Sequence, residues 1–372
     1  MNIVLVGGAR PNFVKIAALS QAFRAFKRAH PRSKFTVRIV HTGQHYHFML
    51  VDKFFKDLNI PRPYQNLGVG SASHATQTAK IMTAFEKFLL KNPTDLVIVF
   101  GDVNSTLACS LVAAKMEIPV AHVESGLRSF DRTMPEEVNR MLTDAISDYL
   151  FTSCEDANRN LLKEGIAREK IFFVGNVMVD TLLTYLRKAS GSSVEQRLGL
   201  QRPYSILTLH RPSNVDQDHS LLEIIKALEE IQKKIKIVFP VHPRTARRLQ
   251  NGRIGKKINT LSNLLIVPAM GYLDFIHLMK HAKLVMTDSG GIQEETTVLG
   301  VPCLTLRENT ERPVTINEGT NVLAGKSSKR IVKLASNILH YSTHEGKLRY
   351  PVRWDGKAAC RIVDILSKKL GF

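Results

Sequence analysis

Thr287-Asp288-Ser289-Gly290-Gly291-Ile292-Gln293-Glu294-Glu295 decides the fold, because it reads as the junction between a strand and a helix. Lys283-Leu284-Val285-Met286 before it is a short, mainly apolar run typical of a buried parallel strand. Ile292 to Leu299 after it holds no Pro or Gly and stops at Gly300, which describes one helix and its terminating glycine. Ser289-Gly290-Gly291 falls at the turn, where side-chain bulk is absent and the free N–H groups of the helix start carry partial positive charge. Such a turn suits a phosphate or pyrophosphate. Glu295, four residues past Gly291, shares its helix face and could accept bonds from two ribose hydroxyls. Arg312, in Glu311-Arg312-Pro313, offers a planar fork of donors for phosphate oxygens. A glycine pair alone would serve close helix–sheet packing equally well; the company of Ser289, Glu295 and Arg312 favours a nucleotide.

Outward from this junction, strand and helix patterns alternate along the whole chain, the signature of parallel sheets covered by helices. In the first half the predicted strands are Ile3–Val6, Phe35–Val40, Leu96–Phe100, Val120–Val123, Tyr149–Thr152 and Ile171–Val174. A helix from Pro11 to about Arg28 recurs in Phe13, Ile16, Leu19, Phe23 and Phe26 at spacings of three and four. Ala189-Ser190-Gly191-Ser192-Ser193 shifts the composition and reads as a linker. Beyond it come Ser205–Leu209, Ile237–Val241, Leu264–Val267, Leu284–Thr287 and Cys303–Leu306. The predicted fold class is α/β, with two doubly wound Rossmann-like domains facing a central cleft. Residues 1–190 form the first, 191–355 the second, and 356–372 a last helix returning to the first.

The chain has 372 residues, enough for two domains, with 44% hydrophobic and 23% charged residues, as in ordinary globular proteins. No low-complexity tract or short repeat interrupts it. Nothing resembles a signal peptide, and no segment approaches the ~20 apolar residues of a membrane helix, so a cytoplasmic protein without a membrane partner is expected. Cys109, Cys154, Cys303 and Cys360 lie far apart and form no metal or redox spacing. The net charge of +19 admits nucleic acid, an anionic membrane or an anionic substrate. The basic residues are dispersed and not interleaved with aromatics, which favours solvated surface and an anionic substrate over nucleic acid.

The candidate chemistry follows predicted strand ends, where open α/β sheets bind ligands. Gly7-Gly8-Ala9-Arg10-Pro11 with Lys15 follows the first strand and would bring two cations to the cleft. Asp102, in Gly101-Asp102-Val103-Asn104, is an acid or base candidate, or equally a cap for the next helix. Glu124 ends the following strand, beside Asp102 if the two strands are neighbours. Glu136, in Met134-Pro135-Glu136-Glu137, suits a helix start and so is ambiguous alone. Together they predict three crowded carboxylates whose pKa values separate, as paired acid and base steps need. His210-Arg211-Pro212 and His242-Pro243-Arg244 follow two strands of the second domain and read as anion ligands. No His/Cys/Asp cluster has metal spacing, and no nucleophile elbow appears, so no metal is expected.

These residues resemble the non-hydrolysing UDP-N-acetylglucosamine 2-epimerases, which share the GT-B fold. The resemblance rests on Gly8-Ala9-Arg10-Pro11 with Lys15, Gly101-Asp102, His122-Val123-Glu124-Ser125-Gly126-Leu127-Arg128, Pro135-Glu136-Glu137-Val138-Asn139-Arg140, His210-Arg211, Pro240-Val241-His242-Pro243, Asp288 to Glu295 and Thr310-Glu311-Arg312-Pro313, all in family order. It implies interconversion of UDP-N-acetylglucosamine and UDP-N-acetylmannosamine, without a redox cofactor, through loss of UDP to 2-acetamidoglucal and its return. It also implies a homodimer and a place in surface-polysaccharide precursor synthesis. Carried over, Asp102, Glu124 and Glu136 become the acid, base and cation-stabilising carboxylates, and His210 a catalytic contact to the leaving diphosphate. Arg10, Lys15, Met270, Phe275, Ser289, Gly290, Gly291, Glu295 and Arg312 become contacts to the UDP-sugar.

The chain departs from the pattern at two places. Gln44-His45-Tyr46 stands where many members have Gln-His-Arg, and His210-Arg211-Pro212-Ser213-Asn214 where many have His-Arg-x-Glu-Asn. In members these positions help hold a second, activating UDP-N-acetylglucosamine, so the lost Arg and Glu count against that activation. The departures leave room for a relative acting on UDP-2,3-diacetamido-2,3-dideoxyglucuronic acid, whose carboxylate the basic surplus would suit. A GT-B glycosyltransferase would share the fold and Glu295 but would not explain Asp102, Glu124 and Glu136. A binding protein without catalysis is disfavoured by the same intact carboxylates.

Overall fold

The computed structural model describes residues 1–43, 54–241, 243–250, 252–341 and 350–372. The chain divides into two compact units, Met1–Thr184 with Val352–Phe372, and Tyr185–Pro351. Each is a parallel sheet flanked by helices.

Among the described residues, the first unit holds seven strands: β1 (Asn2–Gly7), β2 (Thr36–His41), β3 (Gln65–Asn66), β4 (Leu96–Phe100), β5 (Val120–Ser125), β6 (Tyr149–Thr152) and β7 (Ile171–Phe173), in the order β3-β2-β1-β4-β5-β6-β7. The order reverses between β1 and β4, which opens a crevice at their carboxyl ends. Val4, Val97, Val99 and Val120 on one face pack with Phe85 and Phe88 of the helix His74–Lys91. Fully burying one such side chain contributes about 1.5–3 kcal/mol. The helix Arg10–Ala29 buries Phe13, Ile16, Leu19 and Phe23. The helix Ala358–Leu370 packs on Arg10–Ala29, and the Phe372 ring lies 4.9 Å from that of Phe35. Its first amides, Ala358 and Ala359, donate to Asp180 at 3.2 and 2.7 Å, which satisfies helix-start donors that have no partner within the helix.

The second unit holds β8 (Tyr204–Thr208), β9 (Lys236–Val241), β10 (Leu264–Pro268), β11 (Leu284–Thr287), β12 (Cys303–Thr305) and β13 (Asn321–Leu323), in the order β10-β9-β8-β11-β12-β13. The side-chain period of two is visible in the packing. Leu207, Leu284 and Met286 join one apolar cluster, while Tyr204, Ile206 and Val285 join the other. Here the order reverses between β8 and β11.

The two-residue β3 and three-residue β13 have no counterpart among the predicted strands, being too short to show a period. The decisive helix runs Gly290–Leu299, so both glycines belong to its first turn rather than preceding it. Among the described residues, no helix is long and apolar enough to cross a membrane.

Candidate functional site

In the first unit, β1 and β4 are latched at the crevice by Asn12, which the sequence reading did not single out. Its Oδ1 accepts the Gly8 and Ala9 amides at 3.1 and 2.9 Å, and its Nδ2 donates to the Phe100 carbonyl at 2.8 Å. Gly8 has to be glycine, since a Cβ there would lie 2.1 Å from Ser105 Oγ. Lys15, one helical turn beyond Asn12, is buried, and its ammonium pairs with the buried Glu124 carboxylate. Glu124 occupies the left-handed region at φ +73°, where the register of β5 against β6 shifts. A bulge of this kind re-aims a side chain at a strand end, at a backbone cost persisting only where the surroundings enforce it. Arg10 is exposed, with its guanidinium 5.2 Å from the Phe54 ring centre.

Asp102 follows β4, whose partner is β5, with Phe100 opposite Val123. Its capping reading fails: the helix Asn104–Lys115 is capped by Val103, without a side-chain bond. Instead the Asp102 carboxylate, a quarter exposed at 24%, pairs with buried Arg140. Arg140 and Glu136 are four apart on the helix Pro135–Ile146 and share a face, which sets half-buried Glu136 toward this pair. Glu137, beside it, is buried. It accepts the Ser129 and Phe130 amides at 3.0 and 2.8 Å and binds Arg140 at 2.6 Å. Burial would raise the Glu137 carboxyl, but these bonds and the Arg140 charge hold it below its ordinary value. Two of the three candidate carboxylates thus have a buried cation beside them, Glu124 Lys15 and Asp102 Arg140.

A buried network supports the turn from beneath. His122 faces Asp144 through Nδ1 at 2.6 Å and the Gly101 carbonyl through Nε2 at 2.8 Å. Asp144 also accepts from Gly126 N–H at 3.0 Å and meets Arg128 at 2.7 Å. Burial pushes the Asp144 carboxyl up, but His122 and Arg128 win and hold it low.

In the second unit, wholly buried Asp288 ends β11 and organises the neighbouring turn after β8. It accepts the His210 and Arg211 amides at 3.1 and 3.0 Å, Asn214 Nδ2 at 3.1 Å, and His210 Nδ1 at 2.9 Å. Burial would raise this carboxyl; the His210 charge and these bonds lower it. The His210 side chain stays 49% exposed. Asp288 was quoted within its motif but given no role, because a carboxylate at a strand end carries no signal of its partner.

The helix Gly290–Leu299 starts at Ser289, which makes no side-chain cap bond, so its first amides have no such acceptor. Ser289 is itself held by its amide donating to Thr287 Oγ1 at 3.0 Å. A Cβ on Gly290 would meet Arg312 Nη1 at 2.2 Å and Glu311 Oε1 at 2.7 Å. Arg312 is buried behind this turn, with Nε 2.8 Å from Glu294 and Nη1 2.5 Å from Glu311. Arg312 is engaged by these carboxylates and backs the glycine turn. Gly291 follows Gly290 in the first turn, and Glu295 is buried one turn on, its Oε1 accepting from Tyr272 O–H at 2.8 Å. Met270 and Phe275 are half-buried against the cluster of Val285, Leu278 and Cys303. Gln44, His45, Tyr46 and His242 lie outside the described residues.

The model of the UDP-N-acetylglucosamine 2-epimerase family matches residues 27–367. A relative of that name from Methanocaldococcus jannaschii is 42% identical, with 99% of each chain covered. The UDP-2,3-diacetamido-2,3-dideoxy-D-glucuronate 2-epimerase of Pseudomonas aeruginosa is 38% identical, covering 99% of this chain and all of its own. Among solved structures, the M. jannaschii UDP-GlcNAc 2-epimerase in complex with UDP-GlcNAc and UDP superposes with a TM-score of 0.91, at 42% identity over 99% of this chain and 100% of that one.

Proposed function

This chain belongs to the UDP-N-acetylglucosamine 2-epimerase family, and we propose that it interconverts UDP-N-acetylglucosamine and UDP-N-acetylmannosamine by losing and regaining UDP across C1. The enzyme is an isomerase. The C2 proton has no adjacent carbonyl to acidify it, so C1 must become electron-poor first. The C1–O bond breaks with its electron pair passing to the diphosphate, and the developing oxocarbenium ion acidifies C2–H. A carboxylate takes that proton, and the C–H pair becomes the C1=C2 bond of 2-acetamidoglucal. Return delivers a proton to the opposite face of C2 as the diphosphate re-adds at C1.

Inversion at C2 requires proton transfer on two faces, hence more than one group. The observation that carries the reading is the pair Asp102 and Glu124 at the ends of adjacent strands, each beside its own buried cation. With Glu136 they form the set that removes the proton, returns it and steadies the positive C1. In the second unit, the amides of Ser289, Gly290 and Gly291 and the imidazole of His210 receive the leaving diphosphate. Glu295, fixed by Tyr272, accepts from the ribose, with Met270 and Phe275 on the apolar side of uridine. Arg10 adds positive charge for the anionic substrate, Lys15 reaches it from beside Glu124, and Arg312 supports the diphosphate from behind the glycine turn. The protein works as a homodimer, which light scattering of the purified chain tests.

The decisive experiment is proton NMR in deuterated water with UDP-N-acetylglucosamine alone. Growth of UDP-N-acetylmannosamine carrying deuterium at C2 supports the reaction and its proton exchange together. A second reading, epimerisation of the diacetamido-uronic acid nucleotide, is favoured by the likeness to the Pseudomonas enzyme and by the +19 charge. It takes over if only that substrate turns over.

A further inference from the structure

The helix Tyr272–His281 carries His277 and His281 one turn apart, and Glu195 of the short helix Val194–Arg197 meets them. One ligand atom from each of the three lies within 4.8 Å of the others, with Glu195 Oε2 3.4 Å from His277 Nε2. From this geometry we propose that Glu195, His277 and His281 bind a divalent metal ion of the zinc class, as a structural clamp separate from the chemistry of the carboxylates.

The hydrogen bonds fix the tautomers the site needs. His277 Nδ1 faces the Ala189 carbonyl at 3.0 Å, and His281 Nδ1 faces the His277 carbonyl at 2.9 Å. A carbonyl oxygen only accepts, so each Nδ1 carries a proton, and in the neutral ring each Nε2 keeps its lone pair. Metal-binding imidazoles are oriented in this way by a backbone acceptor on the other nitrogen.

The carboxylate is held ready as well. Glu195 accepts from Tyr204 O–H at 2.9 Å and from Arg202 at 2.8 Å twice over. Arg202 is half exposed, at 50%, so water can take over its donors when an entering cation displaces it from Glu195. His277 is buried while His281 and Glu195 are half-buried, leaving a path from solvent. Two imidazoles and one carboxylate match the donor preference of zinc, with a further position for water. Bound metal would tie Val194–Arg197 to the helix whose Tyr272 holds Glu295. In the sequence His277 and His281 are only a pair, and their third member lies more than 80 positions earlier, so no cluster with metal spacing shows there.

The test uses the full chain, stripped with a chelator and titrated first with cobalt(II) as a spectroscopic probe, then with zinc. The expected result is one equivalent of cobalt with visible ligand-field bands, displaced by zinc, and a melting temperature that rises with free zinc. His281→Ala should weaken zinc binding by at least on the order of 100-fold, the upper end of what losing a mere supporting partner costs. Arg202→Gln should tighten it, an effect that a purely structural Glu195–Arg202 pair would not give. Circular dichroism checks the fold, and His281→Gln, closer in volume, replaces the alanine variant should that fail to fold. Absence of cobalt bands in large excess, or equal zinc affinity in wild type and the His281 variant, overturns the proposal.

Discussion

Buried Asp288 grips Nδ1 of His210 at 2.9 Å while half of the imidazole stays open to solvent. The same carboxylate accepts the His210 and Arg211 amides, so one residue fixes both the turn and the tautomer of the ring. Asp288→Asn should keep the bulk of the turn but misorient the proton on the ring. We expect turnover to fall by about 10²–10⁴, mainly in kcat, with an altered pH profile. The double variant with His210→Ala should be no worse than the worse single variant. Additive losses in steady-state kinetics would show that the two act independently.

Asp102 is bound to Arg140, which keeps Glu137 as a second partner at 2.6 Å. Asp102→Asn therefore leaves Arg140 compensated and the fold intact. Epimerisation should be abolished while UDP affinity, read by calorimetry, stays within a few-fold, roughly less than 1 kcal/mol. Unchanged turnover would remove Asp102 from the reaction.

Lys15 and Glu124 are both buried, and each compensates the other. Lys15→Met deprives a buried carboxylate of this cation. Urea unfolding should register a loss of about 3–5 kcal/mol. Adding Glu124→Gln should recover much of it, though not the activity. A loss that the second change does not relieve would assign the effect to packing alone.

A methyl group on Gly290 would reach within 2.2 Å of the Arg312 guanidinium, which two glutamates hold in place. Gly290→Ala should cost about 1–3 kcal/mol of stability, as overpacking does. It should also weaken UDP binding more than tenfold, about 1.4 kcal/mol, because the helix start is displaced. UDP affinity equal to wild type would mean that the diphosphate lies elsewhere.

Asp180 caps the helix Ala358–Leu370 with both oxygens. Burial pushes its pKa up to about 6, against the pull of the Ala359 and Ala358 amides. The folded chain then holds this proton to higher pH than the unfolded one, whose Asp titrates near 3.9. The stabilisation is complete below about pH 4 and lost as pH rises through about 6, a change of about 3 kcal/mol. Relative to Asp180→Asn, wild-type stability should decline by that amount between these limits. A constant difference across the range in urea unfolding would refute the assignment.

The sequence by itself determined the alternation of strands and helices, the glycine turns and the strand ends where chemistry gathers. These are local: the buried runs Ile3–Val6 and Leu284–Met286 and the glycines of Gly290-Gly291 speak within a few residues of themselves. Even the family was legible, because its motifs are short and stand in order. Tertiary structure alone decided the partners. Asp102 reads as a cap until the fold brings Arg140 to it, and Arg312 reads as an open fork until Glu294 and Glu311 close on it. Asn12 and Asp288 gain their roles by joining neighbouring strands that stand far apart in the chain. Glu195 meets His277 and His281 across the same kind of gap. A residue's local pattern fixes its backbone, but the charge it faces is set by which distant element packs beside it, and no short-range signal encodes that neighbour.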